Sequence, residues 1–303
     1  EFRRVLFRSA YEQFSKLAYP NSPRGESVIG PMDEIAAISL DDLKQWYQTW
    51  YAPNNATLVI VGDVNPEQAL AQVKQYFGDK QPQTLPTRPS VRQTGFRGLN
   101  ETTTHLPVQV PSLLMAYNLP TLTTATDPKT AYSLSLLSDV LDGGLSARLE
   151  KHLVRDKQLL ASVGSGYSAF SRGDGLLLIQ ATPRQGVSLE QAKAAILAEI
   201  EALKTQPIAT RELERAKTNT LTELIYSQDS ISGQAQTIGS LTSIGLDDRM
   251  IYNLPSVLDS INESDLHQVA SKYLTHENLT VLNVVNGKVV NNNTPSTKAK
   301  TNK

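Results

Sequence analysis

Cysteine is absent from all 303 residues. Its absence removes disulfides, thiolate nucleophiles and every cysteine-based metal site, and it is neutral about compartment, compatible with an oxidising one without requiring it. Histidine is scarce. The four present, His105, His152, His267 and His276, never fall at His-x-x-Glu-His or His-Glu-x-x-His spacing, the arrangement that sets two imidazoles and a carboxylate on one helix face around a metal. There is no Gly-x-Ser-x-Gly nucleophile elbow and no Gly-x-x-x-x-Gly-Lys phosphate loop. An excess of either charge is missing too. The formal net charge is −1, so no basic face stands ready for nucleic acid. No stretch reaches the roughly 18 apolar residues of a membrane span. What is present is an ordinary globular composition, 40% apolar and 19% charged, with length for about two domains.

The two ends differ from the middle. Glu1–Ser9 holds three arginines among large apolar residues, without a period that continues into the residues after Ser9 and without the apolar stretch and small-residue cleavage site of a signal peptide. It reads as an artefactual leader, with the natural sequence resuming at residue 10. Residues 286–303 hold four lysines, no acid and little apolar surface. Such a tail buries too little to offset its ordering entropy and is expected to be disordered.

Between them, Ser39 caps a helix whose Leu43, Trp46, Tyr47 and Trp50 form one apolar stripe. Pro53-Asn54-Asn55 breaks it, and Ala56–Val61 is a continuous apolar run expected to be a strand buried on both faces. Asn65 and Pro66 open another helix with Leu70, Val73 and Phe77 inward. Residues 80–100, with three prolines among polar residues, read as a linker. Extended segments are expected at 102–106, 112–119, 161–170 and 176–182, the last two joined by a turn at Arg172–Gly175. Helices are expected from Asp127-Pro128, over Ser146–Lys157, from the Ser188/Gln191 capping box through Lys204, over 211–227 and from Met250. Gly143-Gly144 could cradle an anion at a helix N-terminus and is read instead as a packing turn. The mixture is α+β.

A repeat organises the whole. At an offset of 223 residues, ISLDDLKQWYQTWYAPNNATLVIV (Ile38–Val61) lies without a gap on INESDLHQVASKYLTHENLTVLNV (Ile261–Val284), with seven identities in 24 positions. Each copy is an amphipathic helix, an asparagine turn and an apolar strand. The repeat implies two tandem domains of one α/β unit: 10–79 as the remnant of the first and 101–285 as the second. About 175 residues of the second domain precede its copy of the motif and few precede the first, so the first is incomplete. Strand Ala56–Val61 is expected to lack sheet neighbours, which leaves apolar surface uncovered and the chain poorly soluble.

Pro20–Val64 resembles the insulinase/pitrilysin peptidases in the stretch after their zinc site, through Val28-Ile29-Gly30, the helix at Ser39–Trp50, Tyr51-Ala52-Pro53-Asn54-Asn55 and Val59–Val64. Leu141-Asp142-Gly143-Gly144-Leu145-Ser146-Ala147-Arg148-Leu149, then Leu153–Gln158, resembles their second domain. The resemblance implies a LuxS-like metallopeptidase sandwich of mixed sheet and helices, and zinc-assisted hydrolysis of short extended peptides in the full-length protein. It implies a periplasmic address and, in the bacterial two-subunit type, a second family subunit as partner in a heterodimer. The zinc ligands precede Pro20 in the family. Glu12 lies too close to Gly30 to be one, so no catalytic residue, no metal ligand and no bound zinc are expected in this chain. The family's second domain often presents an arginine and, seven residues later, a tyrosine to the substrate. Arg155 matches the arginine and is the candidate substrate-binding residue; Ser162 stands where the tyrosine would be. The alternative is a non-catalytic partner or scaffold subunit of the same fold.

Overall fold

The structure, a computed structural model, describes residues 2–20, 22–88, 91 and 100–287, and the side chains from residue 9 onward. The first part is helical. Helix α1 (Phe2–Ala18) is followed by α2 (Met32–Ala37), α3 (Leu40–Trp50) and α4 (Pro66–Phe77). The second part alternates strands and helices. Strands β1 (Asn100–Leu106) and β2 (Ser112–Leu119) lead to α5 (Pro128–Asp142), a π-helix (Leu149–Asp156), β3 (Leu160–Gly166) and β4 (Gly175–Pro183). Helices α6 (Leu189–Thr205), α7 (Thr210–Ser227), α8 (Ile231–Ser243), α9 (Met250–Asp259) and α10 (Glu263–Tyr273) come next, and β5 (Leu279–Asn286) closes the fold.

The five strands form one mixed sheet in the order β1-β5-β2-β4-β3. The last strand in sequence thus enters the middle, parallel to β1 and antiparallel to β2. β4 is antiparallel to both β2 and β3. One face carries Leu113, Met115, Tyr117, Leu177, Ile179 and Val281 into the main core under α5, α6, α7 and α10. The alternation is that of a sheet covered by helices. The other face, with Leu106, Leu114, Ala116, Leu282 and Val284, receives α1 through Ala10, Phe14 and Ala18. Asn100 Nδ2 donates to Leu17 O at 3.2 Å and Asn118 Nδ2 to Ala18 O at 2.9 Å. These bonds satisfy carbonyls that a helix C-terminus leaves open.

Several expectations need correcting. The backbone is helical from Phe2 through Ala18 without a break, so residues 2–9 do share one helical period with residues 10–18. Ala56–Val61 belongs to no strand, and Leu58 is 59% exposed. The reason is that no neighbour pairs with it among the described residues: a strand forms only where a second backbone completes its hydrogen bonds. The stripe of α3 and the Leu70/Phe77 face of α4 are likewise uncovered, with no buried residue in either helix. Helix α8 stands between the helix expected over 211–227 and the one expected from Met250, where no element was expected. Asn286 and Gly287, assigned to the tail, are anchored, Asn286 in β5 and Gly287 N donating to Leu106 O at 3.0 Å. The rest of the tail and most of the linker beyond Arg88 lie outside the described residues.

Candidate functional site

The sequence candidate, Arg155, sits where α5, the π-helix and β3 meet. Helix α5 ends at Gly143, whose N makes the last i→i−4 bond, to Asp139 O at 2.6 Å, and a Cβ on Gly143 would lie 2.4 Å from that same oxygen. Gly144 then takes φ +105°, a conformation glycine adopts without penalty. The chain reverses through residues 143–146 and enters the π-helix, whose wider turn Lys157 N closes by donating to His152 O at 2.9 Å. Gln158 leaves it in the left-handed region, φ 53°. π-Helices and left-handed non-glycine residues both concentrate at functional sites.

Arg155 is exposed on the last turn of the π-helix, and its Nη2 donates to Leu145 O. Ser162 is exposed on β3, beside the register shift between Leu160 and Ser162. β3 is an end strand of the sheet, the position at which a further strand can pair. The loop beneath is held from α7. Asn219 Nδ2 donates to Gly143 O at 3.2 Å and Arg215 Nη1 to Ser146 O at 3.0 Å, while Ala147 N donates to Gly144 O at 2.9 Å. The carbonyls of Gly143, Gly144 and Ser146 are committed in this way.

Charged groups surround this corner. Arg148 reaches Glu212 through two bonds of 2.8 and 2.7 Å, and the guanidinium holds the Glu212 carboxyl below its usual range. Burial pushes Asp139 up to about 6, against a hydrogen bond from Thr220 Oγ1. Burial also raises Asp142, whose Oδ2 accepts from Ser165 N of β3 at 2.5 Å. His152 Nδ1 lies 2.7 Å from the buried Glu199 carboxylate, which Lys157 approaches at 3.1 Å. His152 is thus engaged in a structural cluster. Sequence reading missed Glu199, Arg215 and Asn219; only the i, i+4 spacing of the last two on one helix face hinted at joint use.

The residues present do not fit a zinc centre. Zinc sites need three or four converging donors, and among the described residues no three His, Asp or Glu side chains form such a group. Two open cavities flank the fold, each of about 1100 Å³. One lies between α1 and β4, with Tyr19, Arg24, Tyr167, Leu176 and Leu178 on its walls; the other lies over Trp46, Tyr47, Trp50 and Phe77. Arg24 links the two parts of the chain by donating to Asp174 O at 2.7 Å and Arg172 O at 3.1 Å. Among the described residues no helix is long and apolar enough to cross a membrane.

Known proteins share this architecture. Zinc protease PqqE of Helicobacter pylori is 27% identical over 267 residues, which covers 87% of this chain and 59% of that protein. The uncharacterised zinc protease YmxG of Bacillus subtilis is 22% identical over 271 residues, 88% of this chain and 63% of that protein. The chain therefore spans about three fifths of the length of these curated relatives. In three dimensions it superposes on a protease from Helicobacter pylori with a TM-score of 0.83 at 24% identity, covering 92% of this chain and 67% of that one. A peptidase M16 inactive domain from Pseudomonas fluorescens gives 0.79 at 20%, covering 93% and 66%. The first half of the periplasmic protease PqqL from Escherichia coli gives 0.73 at 18%, covering 93% and 62%. These structural likenesses establish the fold. Residues 37–220 match the family described as the peptidase M16 inactive domain, and the chain belongs to that family.

Proposed function

We propose that this chain is the C-terminal, non-catalytic portion of a zinc-dependent metalloendopeptidase that hydrolyses short extended peptides, with the zinc held by residues outside it. The observation that carries this reading is the match of residues 37–220 to a domain described as inactive, in a chain whose relatives are named zinc proteases. The end strand β3 and Arg155 support a role in holding the peptide. An extended segment adds to such an edge through main-chain hydrogen bonds, and a guanidinium, with donors only, suits carbonyl or carboxylate oxygens. In this reading residues 10–79 are the remnant of a first family domain, 80–100 a linker and 101–285 the second domain. Ser162 in place of a tyrosine favours a heterodimer with a second family subunit that supplies the aromatic partner. A periplasmic address is proposed by analogy with the PqqL relative.

The test compares residues 1–303 with the longer product of the same gene, each alone and with candidate family partners. Zinc per chain and cleavage of a quenched fluorescent peptide are measured with and without chelator. The longer product is expected to bind one zinc and cleave, and residues 1–303 to do neither. A longer product that binds no zinc and cleaves nothing with any partner would transfer the assignment to the scaffold-subunit reading. Zinc-dependent cleavage by residues 1–303 alone would overturn both.

A further inference from the structure

We propose that Arg215 and Asn219 are positioning residues for Arg155, acting through the loop 143–146. The inference rests on the reading that Arg155 meets the peptide, and it explains how an exposed arginine is kept in place. The guanidinium of Arg155 is anchored to Leu145 O. Leu145 cannot hold that anchor by packing, because its side chain is 73% exposed. What fixes it are the carbonyls on either side, Gly143 O bound by Asn219 and Ser146 O bound by Arg215. Both donors stand one turn apart on α7. That helix is secured by buried Leu213 and Ala216 and by the Arg148–Glu212 pair, which joins it to the start of the π-helix.

Arg215 also shows that the arrangement is more than surface decoration. Its Nε and Nη2 are closed off from solvent without an acceptor, a costly placement for a guanidinium whose bond to Ser146 O is its contribution to the loop. With the loop rigid, Arg155 enters binding with fewer rotamers to lose. Removing a clamp therefore weakens peptide binding without touching the peptide.

The experiment has two arms. In residues 1–303, the Arg155 side-chain Nε–Hε resonance, identified by its loss in Arg155→Lys, is followed in Arg215→Met, Arg215→Lys and Asn219→Leu. Arg215→Met and Asn219→Leu are expected to raise its solvent exchange and lower its order, and Arg215→Lys, which keeps a donor, to restore most of both. In the zinc-bearing peptidase the same two clamp losses are expected to raise KM about fivefold to tenfold, the equivalent of one hydrogen bond, with kcat within about twofold. An Arg155 resonance indifferent to all three variants overturns the positioning role. So does a KM unchanged in both clamp losses while Arg155→Ala raises it. If Arg155→Ala leaves KM alone, the peptide reading fails, and the resonance still decides whether the clamp holds Arg155.

Discussion

Residues 38–61 and 261–284 are built from the same bonds. Ser39 N donates to Asp42 Oδ2 at 2.8 Å and Asp42 N to Ser39 Oγ at 3.2 Å; Asn262 N donates to Asp265 Oδ2 at 2.8 Å and Asp265 N to Asn262 Oδ1 at 3.2 Å. Helices α3 and α10 end alike, with Tyr51 N on Tyr47 O and Leu274 N on Ala270 O. Asn55 Nδ2 returns to Trp50 O at 2.8 Å, and Asn278 Nδ2 to Tyr273 O at 3.0 Å. Yet Leu266 is fully buried and its counterpart Leu43 is 56% exposed, and Val281 lies in the core where Leu58 faces outward. The second copy has β1 and β2 on either side of its strand and α5 and α6 against its helix. Among the described residues the first copy has no such cover. Caps and turns therefore form from neighbours in sequence, whereas burial depends on elements brought from far along the chain.

The sharpest way to break this contrast is a pair of matched truncations. Leu266→Ala is expected to lower unfolding free energy by about 2–5 kcal/mol, the cost of a cavity in a closed core. Leu43→Ala is expected to change it by less than about 0.5 kcal/mol. Urea denaturation measures both, and similar losses would mean that the first copy is packed as tightly as the second.

The cover over α10 also carries a pH signature that the first copy lacks. Asp139 on α5 is raised from 3.8 to about 6 by burial. Between those values the folded chain keeps a proton that the unfolded chain gives up, so stability rises as pH falls through about 6 toward 4, and above that window the penalty of burying the ionised group is constant. Asp139→Asn is expected to raise the melting temperature at about pH 7.5 by a few degrees and to flatten the rise between about pH 7 and 5. The upward shift of Asp142 acts in the same direction and leaves a residual slope.

The matched asparagines sharpen the comparison at smaller scale. Asn278→Ala is expected to cost about 1 kcal/mol in the global transition, the net worth of one hydrogen bond. Asn55→Ala removes the same bond from an uncovered helix and is expected to leave that transition unmoved. Equal effects would show that α3 unfolds together with the sheet domain. A change of the opposite sign is expected at Gln158, whose left-handed backbone makes Gln158→Gly stabilising by up to about 1 kcal/mol, read from the same urea curves.

Much of this was legible in the residues. Strand Ser112–Leu119 was expected at the bounds it has, α5 and α6 begin at their predicted capping or proline signals, and α7 begins at Thr210, one residue before its expected start. Helix α8 was not expected, because Gln, Ser, Thr and Gly supply no apolar stripe and only Leu241 is buried in it. The π-helix was read as an ordinary helix, since over eight residues a slightly longer period leaves the same apolar positions inward. Arg155 could be singled out by resemblance, but its anchor could not. The bond to Leu145 O depends on where a loop of two glycines turns, and Arg215 and Asn219 reach that loop from some 70 residues away in sequence, 69 and 76.

By itself the sequence determined the caps, the asparagine turns and the duplication that sets them out twice, because each of those bonds closes within five residues of its start. Tertiary structure alone decided which copy of the motif is a core strand and which an uncovered segment. A backbone becomes a strand only beside another backbone, and an apolar stripe becomes core only when distant elements exclude water from it. The bond of Arg155 to Leu145 O follows the same rule, since it falls in a loop whose neighbouring carbonyls are bound from helix α7.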